Sequence, residues 1–245
     1  MTDLLIVDDL SKRFGGFIAL GGVSLAVNAG ERVGLIGPNG SGKSTLVNCI
    51  CGAMQNEGGT VHFSGRKMDG LLAHQRTRLG LARTFQLPRP FVSLTVAENL
   101  RIPLLYAVKA RPGGRLTGLA IEQRCEDLLN LVGLAGKAAQ RPAELTQIDM
   151  RKLELARAMA TEPKLLIADE AMAGLSHSEV AEIVDLLLRL NAEQGITIIL
   201  IEHIMSAVMR FSQRLIVLVS GAKIADGTPD EVVRNPQVES AYLGQ

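Results

Sequence analysis

The sequence predicts an α/β fold, and three observations lead to that prediction. Five apolar segments lack the alternation of a half-exposed strand, which is typical of parallel strands covered on both faces. Helical stretches separate some of them, among them residues 178–191 and 204–211, and alternation of strand and helix builds an α/β core. A glycine-rich turn joins the first segment to a helix. The predicted strands cover residues 31–36, 81–85, 164–168, 196–201 and 215–219.

The glycine-rich turn predicts a nucleotide site. Residues 37–45 fit the phosphate-loop pattern G-x-x-x-x-G-K-S/T. Glycines let backbone N–H groups surround a phosphate, and the helix N-terminus that follows adds partial positive charge. An ordinary glycine turn is the alternative, but the flanking strand and helix favour the phosphate loop. A nucleoside triphosphate is therefore expected on Gly37, Pro38, Asn39, Gly40, Ser41, Gly42, Lys43, Ser44 and Thr45, with Lys43 on the β- and γ-phosphates and Ser44 on Mg²⁺.

Composition limits the classes to which the chain can belong. At 245 residues it can bury a core as one domain, or as one domain with a lobe. A formal net charge of +1 provides no basic field, so nucleic acid is not an expected partner. No apolar stretch approaches the roughly 18 residues of a membrane span, and the start lacks a secretion signal. Cys49, Cys51 and Cys125 lack zinc spacing, and the two on the helix after the phosphate loop, Cys49 and Cys51, are expected to be small buried side chains. The protein is expected to be cytosolic and reduced.

Four polar residues follow strands of the predicted sheet: Gln86, Asp169, Glu170 and His203. Ligands of α/β sheets bind beyond the carboxyl ends of the strands, so these residues are expected to meet the phosphate loop around the γ-phosphate. Asp169 would hold Mg²⁺ through its water shell, and Glu170 would act as general base on the attacking water. His203 would contact the γ-phosphate, and Gln86 would ligate Mg²⁺ or orient water. The alternatives are a solvated acidic pair and a merely exposed histidine.

Residues 94–160 are predicted to form a mostly helical lobe inside the α/β core. Thr95 and Glu98 fit a capping box at the start of a helix. A second helix over residues 122–132 has an apolar stripe. Between the two helices, residues 110–118 include Pro112, Gly113 and Gly114 and predict an exposed loop.

These motifs together resemble the ATP-binding subunits of ABC transporters over nearly the whole chain. Residues 37–45 are similar to the Walker A motif, residues 165–170 to Walker B with its catalytic glutamate, Gln86 to the Q-loop glutamine and His203 to the switch histidine. Phe14 matches the aromatic that stacks on adenine, with Phe17 as competitor and a plain core role as the alternative for either. The resemblance implies a RecA-like P-loop core with an antiparallel β subdomain over residues 1–93 and 161–245, and a helical subdomain over residues 94–160.

Three stretches narrow the resemblance to the branched-chain amino-acid importers: residues 82–86, residues 201–205, and the tail from 227 to 244. The resemblance implies ATP and Mg²⁺ as cofactors and a location on the inner face of the cell membrane. A second ATPase subunit and membrane permease subunits would be direct partners, and an external solute-binding protein an indirect one. A permease helix would press into the groove beside Pro88, Pro90 and Phe91.

The sequence departs from the family pattern at the signature motif, Leu-Ser-Gly-Gly-Gln, which binds the nucleotide of the opposite subunit. Residues 145–149 read Leu-Thr-Gln-Ile-Asp instead. Thr146 keeps a hydroxyl that would bind that nucleotide, but Ile148 replaces a glycine that allows close approach to phosphate. Asp149 adds a like charge, whose contact at ~4 Å costs on the order of 4 kcal/mol at an effective dielectric of about 20. Two departures are milder: Ala171 stands where the family usually has a proline after the catalytic glutamate, and Ser176 stands where its D-loop ends in an aspartate or asparagine.

Two hypotheses follow for the dimer. Because the chain's own Walker motifs are intact while its signature is altered, we expect a heterodimer in which a companion subunit supplies the intact signature. The alternative is that the loop tolerates these residues and a homodimer works. A soluble ABC-type ATPase without a permease, for example in iron–sulfur assembly, is the other function to be weighed. An ATP-holding regulatory module and a DNA-acting ATPase fit the residues less well.

Overall fold

Two β-sheets and the helices around them make up the structure, a computed structural model that describes residues 3–111, 113–114 and 116–243. The strands are β1 (Asp3–Phe14), β2 (Phe17–Asn28), β3 (Arg32–Ile36), β4 (Gly58–Phe63), β5 (Arg66–Lys67), β6 (Leu81–Arg83), β7 (Leu165–Asp169), β8 (Thr197–Ile201), β9 (Arg214–Val219) and β10 (Ala222–Gly227). The α-helices are α1 (Lys43–Cys51), α2 (Ala73–Arg78), α3 (Val96–Pro103), α4 (Gly118–Val132), α5 (Gln147–Met159), α6 (His177–Gln194), α7 (Met205–Phe211), α8 (Pro229–Val233) and α9 (Pro236–Leu243).

The larger sheet has the strand order β10-β9-β3-β8-β7-β6. From β9 to β6 every neighbouring pair is parallel, whereas β10 pairs with β9 in the antiparallel sense. Every residue of β7 and β8 is buried, as expected for central strands covered on both faces. The predicted parallel α/β sheet is confirmed, although β6 ends at Arg83 and β7 continues through Asp169.

The smaller sheet, β2-β1-β4-β5, is antiparallel, as the resemblance implied. Helix α1 packs between this sheet and the larger one, because its Leu46, Val47 and Ile50 share a buried cluster with residues of β1 and β3. The phosphate loop at the start of α1 is therefore held between two hydrogen-bonded layers.

The stretch between residues 94 and 160 is mostly helical, as predicted. The Thr95 hydroxyl accepts the Glu98 N–H at 3.2 Å, and the Glu98 carboxylate accepts the Thr95 N–H at 2.8 Å, which confirms the capping box. A π-helical turn, Leu104–Val108, continues α3, and 3₁₀ turns at Ala135–Lys137 and Pro142–Glu144 lead into α5. Pro112, which was predicted in the loop before α4, lies outside the described residues. The subdomain limits at residues 93 and 161 stay a prediction.

The two C-terminal helices pack against the edge of the larger sheet. Val232 of α8 and Val238 of α9 share a buried cluster with Ile36 and Val217. Since Ile36 is the last residue of β3, the tail contacts the strand that presents the phosphate loop. Gly244, the last residue of the tail resemblance, lies outside the described residues.

Two expectations from composition concern the interior and the membrane. Cys49, Cys51 and Cys125 are buried free thiols, which confirms the prediction of Cys49 and Cys51 as small core side chains. Burial raises the pKa of the Cys51 thiol to about 12, so this cysteine stays protonated and unreactive. Of the helices described, none combines the length and apolar character needed to cross a membrane.

Candidate nucleotide site

The phosphate loop connects β3 to α1. Gly37 and Gly42 have φ angles of 151° and 102°, a region that side chains with a Cβ rarely adopt. A Cβ atom at Gly37 would lie 2.0 Å from the Leu218 carbonyl oxygen, and one at Gly42 would lie 2.5 Å from the Ala19 carbonyl oxygen. No side chain caps α1 at Gly42, so the first-turn N–H groups remain open to an anion.

Lys43 places a buried cation in this loop. Its Nζ donates to the carbonyl oxygens of Gly37 at 2.7 Å and Pro38 at 3.0 Å. Among the described residues, no carboxylate lies within ion-pair distance of Nζ. Burial lowers the pKa of Lys43, although the charges of Glu170 and Asp169 oppose the shift. A buried ammonium group without a paired anion fits a site that receives a polyphosphate.

Asp169, the last residue of β7, is tied to the neighbouring strand. Its Oδ2 accepts Nη2 of Arg83 at 2.6 Å, and Nη1 of Arg83 donates to Oδ1 of Asn48 on α1, also at 2.6 Å. The Asp169 N–H donates to the Thr84 hydroxyl at 3.1 Å. The carboxylate is thus held in one orientation, beside the end of the phosphate-loop helix.

Glu170 and His203 form a direct pair. Nε2 of His203 lies 2.9 Å from Oε1 of Glu170. Glu170 has a φ of 47°, and such left-handed conformations of non-glycine residues concentrate at functional sites. Beside them, Glu202 accepts the Met172 N–H at 2.8 Å and the His203 N–H at 3.3 Å. Burial raises the pKa of Glu202, although these hydrogen bonds oppose the shift.

The exposed Gln86 begins a loop that helix α5 holds in place. The Gln86 carbonyl oxygen accepts Nη1 of Arg151 at 2.5 Å, and the Arg89 carbonyl oxygen accepts Nη1 of Arg157 at 2.7 Å. Arg157 also donates to Glu154 at 3.1 Å. Burial raises the pKa of the Glu154 carboxyl, against the lowering influence of Arg157 and of the backbone N–H groups of the loop.

The donor set fits a magnesium ion that also binds phosphate. Ser44 is exposed in the first turn of α1, and Asp169 ends the strand two positions from β3 in the sheet. Across the described ranges, no group of three or more His, Cys, Asp or Glu side chains is placed to hold a metal by itself. A hard cation here would therefore need phosphate oxygens and water as further ligands.

The ABC transporter family profile matches residues 20–173, which include the phosphate loop, Asp169 and Glu170. The chain belongs to the ABC transporter family. A second profile, described as branched-chain amino acid ATP-binding cassette transporter, matches residues 222–245 of the cassette.

Named relatives and solved structures agree with this assignment. The cassette is 40% identical to the high-affinity branched-chain amino acid transport ATP-binding protein LivG of Salmonella typhimurium, over 99% of this chain and 98% of that protein. It superposes on the ADP conformation of MJ1267, an ATP-binding cassette of an ABC transporter, with a TM-score of 0.88, 32% identity and full coverage of both chains. A dimeric post-hydrolysis cassette, MJ0796 bound to ADP and Pi, superposes with a TM-score of 0.80 and 27% identity, over 91% of this chain and 98% of that one.

The signature segment of the cassette forms the start of α5. Thr146 is the N-cap, and its hydroxyl donates to Oδ2 of Asp149 at 2.5 Å. The same carboxylate pairs with Lys137 at 2.5 Å. Burial alone would raise the pKa of Asp149, but the hydrogen bonds from Lys137 and Thr146 outweigh it and lower the pKa. The Asp149 charge is therefore paired inside the helical region, and its effect on a nucleotide of the opposite subunit stays a prediction.

Two side chains link the signature to the loop after Glu170. Nε2 of Gln147 donates to the Ala173 carbonyl oxygen at 3.4 Å, and Nη2 of Arg151 donates to the same oxygen at 3.0 Å. Since Arg151 also holds Gln86, one guanidinium joins three segments around the site. Ser176 is the N-cap of α6, with Glu179 completing a capping box, which gives its departure from the family pattern a local structural role.

Phe14 and Phe17, the candidates for adenine stacking, are 49% and 61% exposed. The alternative that either is a plain core residue is therefore wrong. Nζ of Lys12 lies 5.8 Å from the Phe14 ring centroid. The structure brings Lys43, Asp169, Glu170 and His203 to one sheet edge, whereas Thr146 stands at the start of α5 with its hydroxyl bonded to Asp149.

Sequence reasoning missed Arg83, Arg151, Glu154, Arg157 and Tyr242. The first four act between segments that are distant in sequence, so no local pattern indicated them. Burial raises the pKa of Tyr242, on α9, and the nearby Gly37 backbone opposes that shift. Tyr242 follows Val238 by one helical turn, and the resemblance of the tail was the available signal for it.

Proposed function

We propose that this cassette binds and hydrolyses ATP at the site around Lys43, Asp169 and Glu170, and thereby drives an importer of branched-chain amino acids. One observation carries the proposal: the buried Lys43, which has no carboxylate partner among the described residues, lies near a general-base candidate, Glu170, that is already oriented by His203 at 2.9 Å. Charge complementarity to a triphosphate and a positioned base are both needed for phosphoryl transfer to water.

In the binding step, the open N-terminus of α1 receives the phosphates. The Lys43 ammonium exchanges the carbonyl oxygens of Gly37 and Pro38 for β- and γ-phosphate oxygens. Phe14, which is exposed at the end of β1, stacks on the adenine ring. Gly37, Pro38, Asn39, Gly40, Ser41, Gly42, Ser44 and Thr45 complete the contacts of the loop.

In the hydrolytic step, Glu170 accepts a proton from the attacking water. His203 fixes the carboxylate and would contact the γ-phosphate, so it would respond to whether that phosphate is present. Ser44 and Gln86 would ligate Mg²⁺, with Asp169 holding its water shell, and the ion supplies neutralisation of developing phosphate charge. The water oxygen bonds to the γ-phosphorus while the bond between that phosphorus and the bridging oxygen breaks, which yields ADP and phosphate.

The solute and partners are assigned from the relatives. LivG is named as a branched-chain amino acid transport protein, and the tail of this chain matches a profile of that description. We place the cassette at the inner face of the membrane, beneath permease subunits. An external solute-binding protein delivers the solute to these permease subunits. The groove beside Pro88, Pro90 and Phe91 is the surface on which a permease segment would dock.

The second ATPase subunit is proposed to be a different chain. At the start of α5, the Thr146 hydroxyl is already bonded to Asp149, and Ile148 replaces a glycine, so this signature offers less to a nucleotide in trans. A companion with an intact signature would complete the site built on Lys43 and Glu170.

Uptake of labelled leucine, isoleucine and valine tests the proposal. Cells that lack the chain should lose uptake, the wild-type chain should restore it, and Glu170→Gln, which removes the base, should not. Unchanged uptake in the deletion strain would refute the solute assignment. ATP hydrolysis by purified wild-type chain with no membrane protein co-purifying would instead favour the soluble ATPase.

A further inference from the structure

Arg83 occupies a position between the nucleotide site and the surface groove. It is the last residue of β6, the edge strand of the larger sheet, and its two terminal nitrogens bind Asp169 and Asn48, each at 2.6 Å. Both partners of the ion pair are largely buried. A buried arginine that holds a carboxylate on one side and α1 on the other restricts the carboxylate to one rotamer.

The same side chain faces a groove of about 370 Å³ between α2, α3 and the loop after β6. Its guanidinium carbon lies 5.7 Å from the ring centroid of Phe85. Phe85 is 44% exposed and lines that groove together with Phe91 and Tyr106. The Phe91 ring contacts Arg157 at 5.2 Å instead.

One nitrogen of Arg83 lacks a partner. Its Nε is buried and makes no hydrogen bond within the described part of the chain. A buried donor left unsatisfied is unfavourable, so a rearrangement that gave Nε a partner would be favoured. Movement of the Phe85 ring or of the loop that carries it would allow such a rearrangement.

We propose that Arg83 is a positioning residue that sets the orientation of Asp169 and connects it to the Phe85 side of the groove. The inference rests on the proposed function, because it assigns Asp169 to Mg²⁺. Through Arg83, a structural change in the groove would affect the nucleotide site by a second set of contacts, in addition to those of Gln86. A segment of the permease that displaces Phe85 would thereby alter how well the carboxylate receives the metal's water shell.

Binding of ATP to the purified chain, measured in EDTA and across a Mg²⁺ titration, tests the positioning role without relying on turnover. Arg83→Met should weaken the apparent Mg²⁺ affinity by about 10–100-fold, as is usual for the loss of a partner that orients a metal ligand. ATP affinity in EDTA should stay within about twofold, since phosphate contacts are untouched. The apparent Mg²⁺ affinity of Arg83→Lys should lie between those of wild type and Arg83→Met. Arg210→Met, which removes an exposed ion pair on α7, should have the Mg²⁺ affinity of wild type.

Two paired variants test the connection to the groove. Phe85→Ala should shift the Mg²⁺ dependence by about two- to fivefold, the scale of an exposed cation–π contact. Phe91→Ala is the matched control, because Phe91 lines the same groove but contacts Arg157. Equal shifts in both variants, or none in Phe85→Ala, would refute the connection.

The outcomes separate this inference from the proposed function. If wild-type chain fails to bind ATP, or binds it with no effect of Mg²⁺, the proposed function is wrong. If wild type responds to Mg²⁺ and folded Arg83→Met responds equally or more strongly, only the role of Arg83 is refuted. Should Arg83→Met fail to fold, Asn48→Leu keeps the ion pair, removes its anchor on α1, and should reproduce the Mg²⁺ shift in part.

Discussion

Helices α1 and α5 both begin at positions where the family binds phosphate, but their N-termini are built differently. Helix α1 starts after Gly42 with no side-chain cap and no acidic residue in its first turn. Helix α5 starts after Thr146, whose hydroxyl accepts the Asp149 N–H at 3.3 Å, while the Asp149 carboxylate accepts the Thr146 N–H at 3.2 Å. One N-terminus is open to an external anion, and the other already has an internal one.

The difference shows how the N-terminus of a helix can have a high or a low affinity for an anion while the fold stays the same. An N-terminus offers unpaired N–H groups and partial positive charge. A capping box with aspartate satisfies two of those groups and neutralises part of the field. At α5, Lys137 further pairs the carboxylate. The energy that a phosphate would gain there is therefore smaller than at α1.

The largest effect is expected at the open end. Lys43→Met removes the buried cation, and ATP affinity should fall by about 10²–10³-fold, the scale for loss of one preorganised contact to phosphate charge. Lys152→Met on α5 is the control, since Lys152 pairs with the exposed Glu182. Calorimetric titration with ATP measures both variants. Comparable losses in both would mean that net charge, and not the loop, governs binding.

The next effect concerns the closed end. Replacing residues 147–149 together, as Gln147→Gly, Ile148→Gly and Asp149→Gln, removes the internal anion and restores close approach. If the altered signature limits a homodimer, turnover of the purified chain should rise by about tenfold, which corresponds to ~1.4 kcal/mol of transition-state stabilisation. Steady-state ATP hydrolysis at several protein concentrations measures it, with Glu170→Gln in the same background as control.

An unchanged rate in that experiment would have a definite meaning. It would show that the signature of this chain does not limit turnover, as expected if a companion subunit completes the hydrolytic site. A wild-type rate that already climbs faster than linearly with protein concentration would contradict the heterodimer, because the chain would then form productive pairs by itself.

The two helix starts also differ in how much the sequence could predict. The open end is local: residues 37–45, the strand before them and the helix after them are contiguous, so motif and geometry coincide. The closed end depends on Lys137, which a 3₁₀ turn brings to Asp149. Arg83 reaches Asp169 because β6 and β7 are neighbours in the sheet. Strand order and turn geometry are tertiary properties, and no pattern in one sequence encodes them directly.

The cap on α5 predicts a smaller effect on stability. Thr146→Ala removes the hydroxyl that accepts the Asp149 N–H, and the free energy of unfolding should fall by about 0.5–2 kcal/mol. Thr146→Ser keeps the oxygen and should stay near wild type. Urea unfolding measures the difference in the free energy of unfolding, provided that the dependence of that free energy on urea concentration is the same in all variants. Loss of stability in Thr146→Ser as great as in Thr146→Ala would show that the methyl group, not the cap, matters.

Glu154, farther along α5, predicts a dependence on pH. Its pKa in the folded chain is raised above the unfolded value of 4.5. At pH values between the two pKa values, the folded state therefore binds more protons than the unfolded state does. Stability contributed by this group is therefore lost as pH increases through the folded pKa. Glu154→Gln, which stays neutral, should gain stability relative to wild type as the pH rises above 4.5, as measured by urea unfolding at several pH values. A difference that is constant with pH would contradict the burial argument.

The smallest expected effect concerns the phosphate loop before α1 and the C-terminal tail that packs beside it. Val238 packs with Ile36, and the Gly37 backbone lies near enough to the Tyr242 hydroxyl to lower the pKa of that group, so the tail lies against the first peptide of the phosphate loop. Tyr242→Phe removes this polar contact, and if the contact is worth as much as a hydrogen bond, ~0.5–1.5 kcal/mol, ATP affinity should fall by about two- to tenfold. The other tyrosine of the chain, Tyr106, lines the groove, and Tyr106→Phe should bind ATP as wild type does. If Tyr242→Phe lowers the melting temperature but leaves ATP affinity unchanged, the tail stabilises the sheet edge without shaping the loop, and the openness of α1 is a property of residues 37–45 alone.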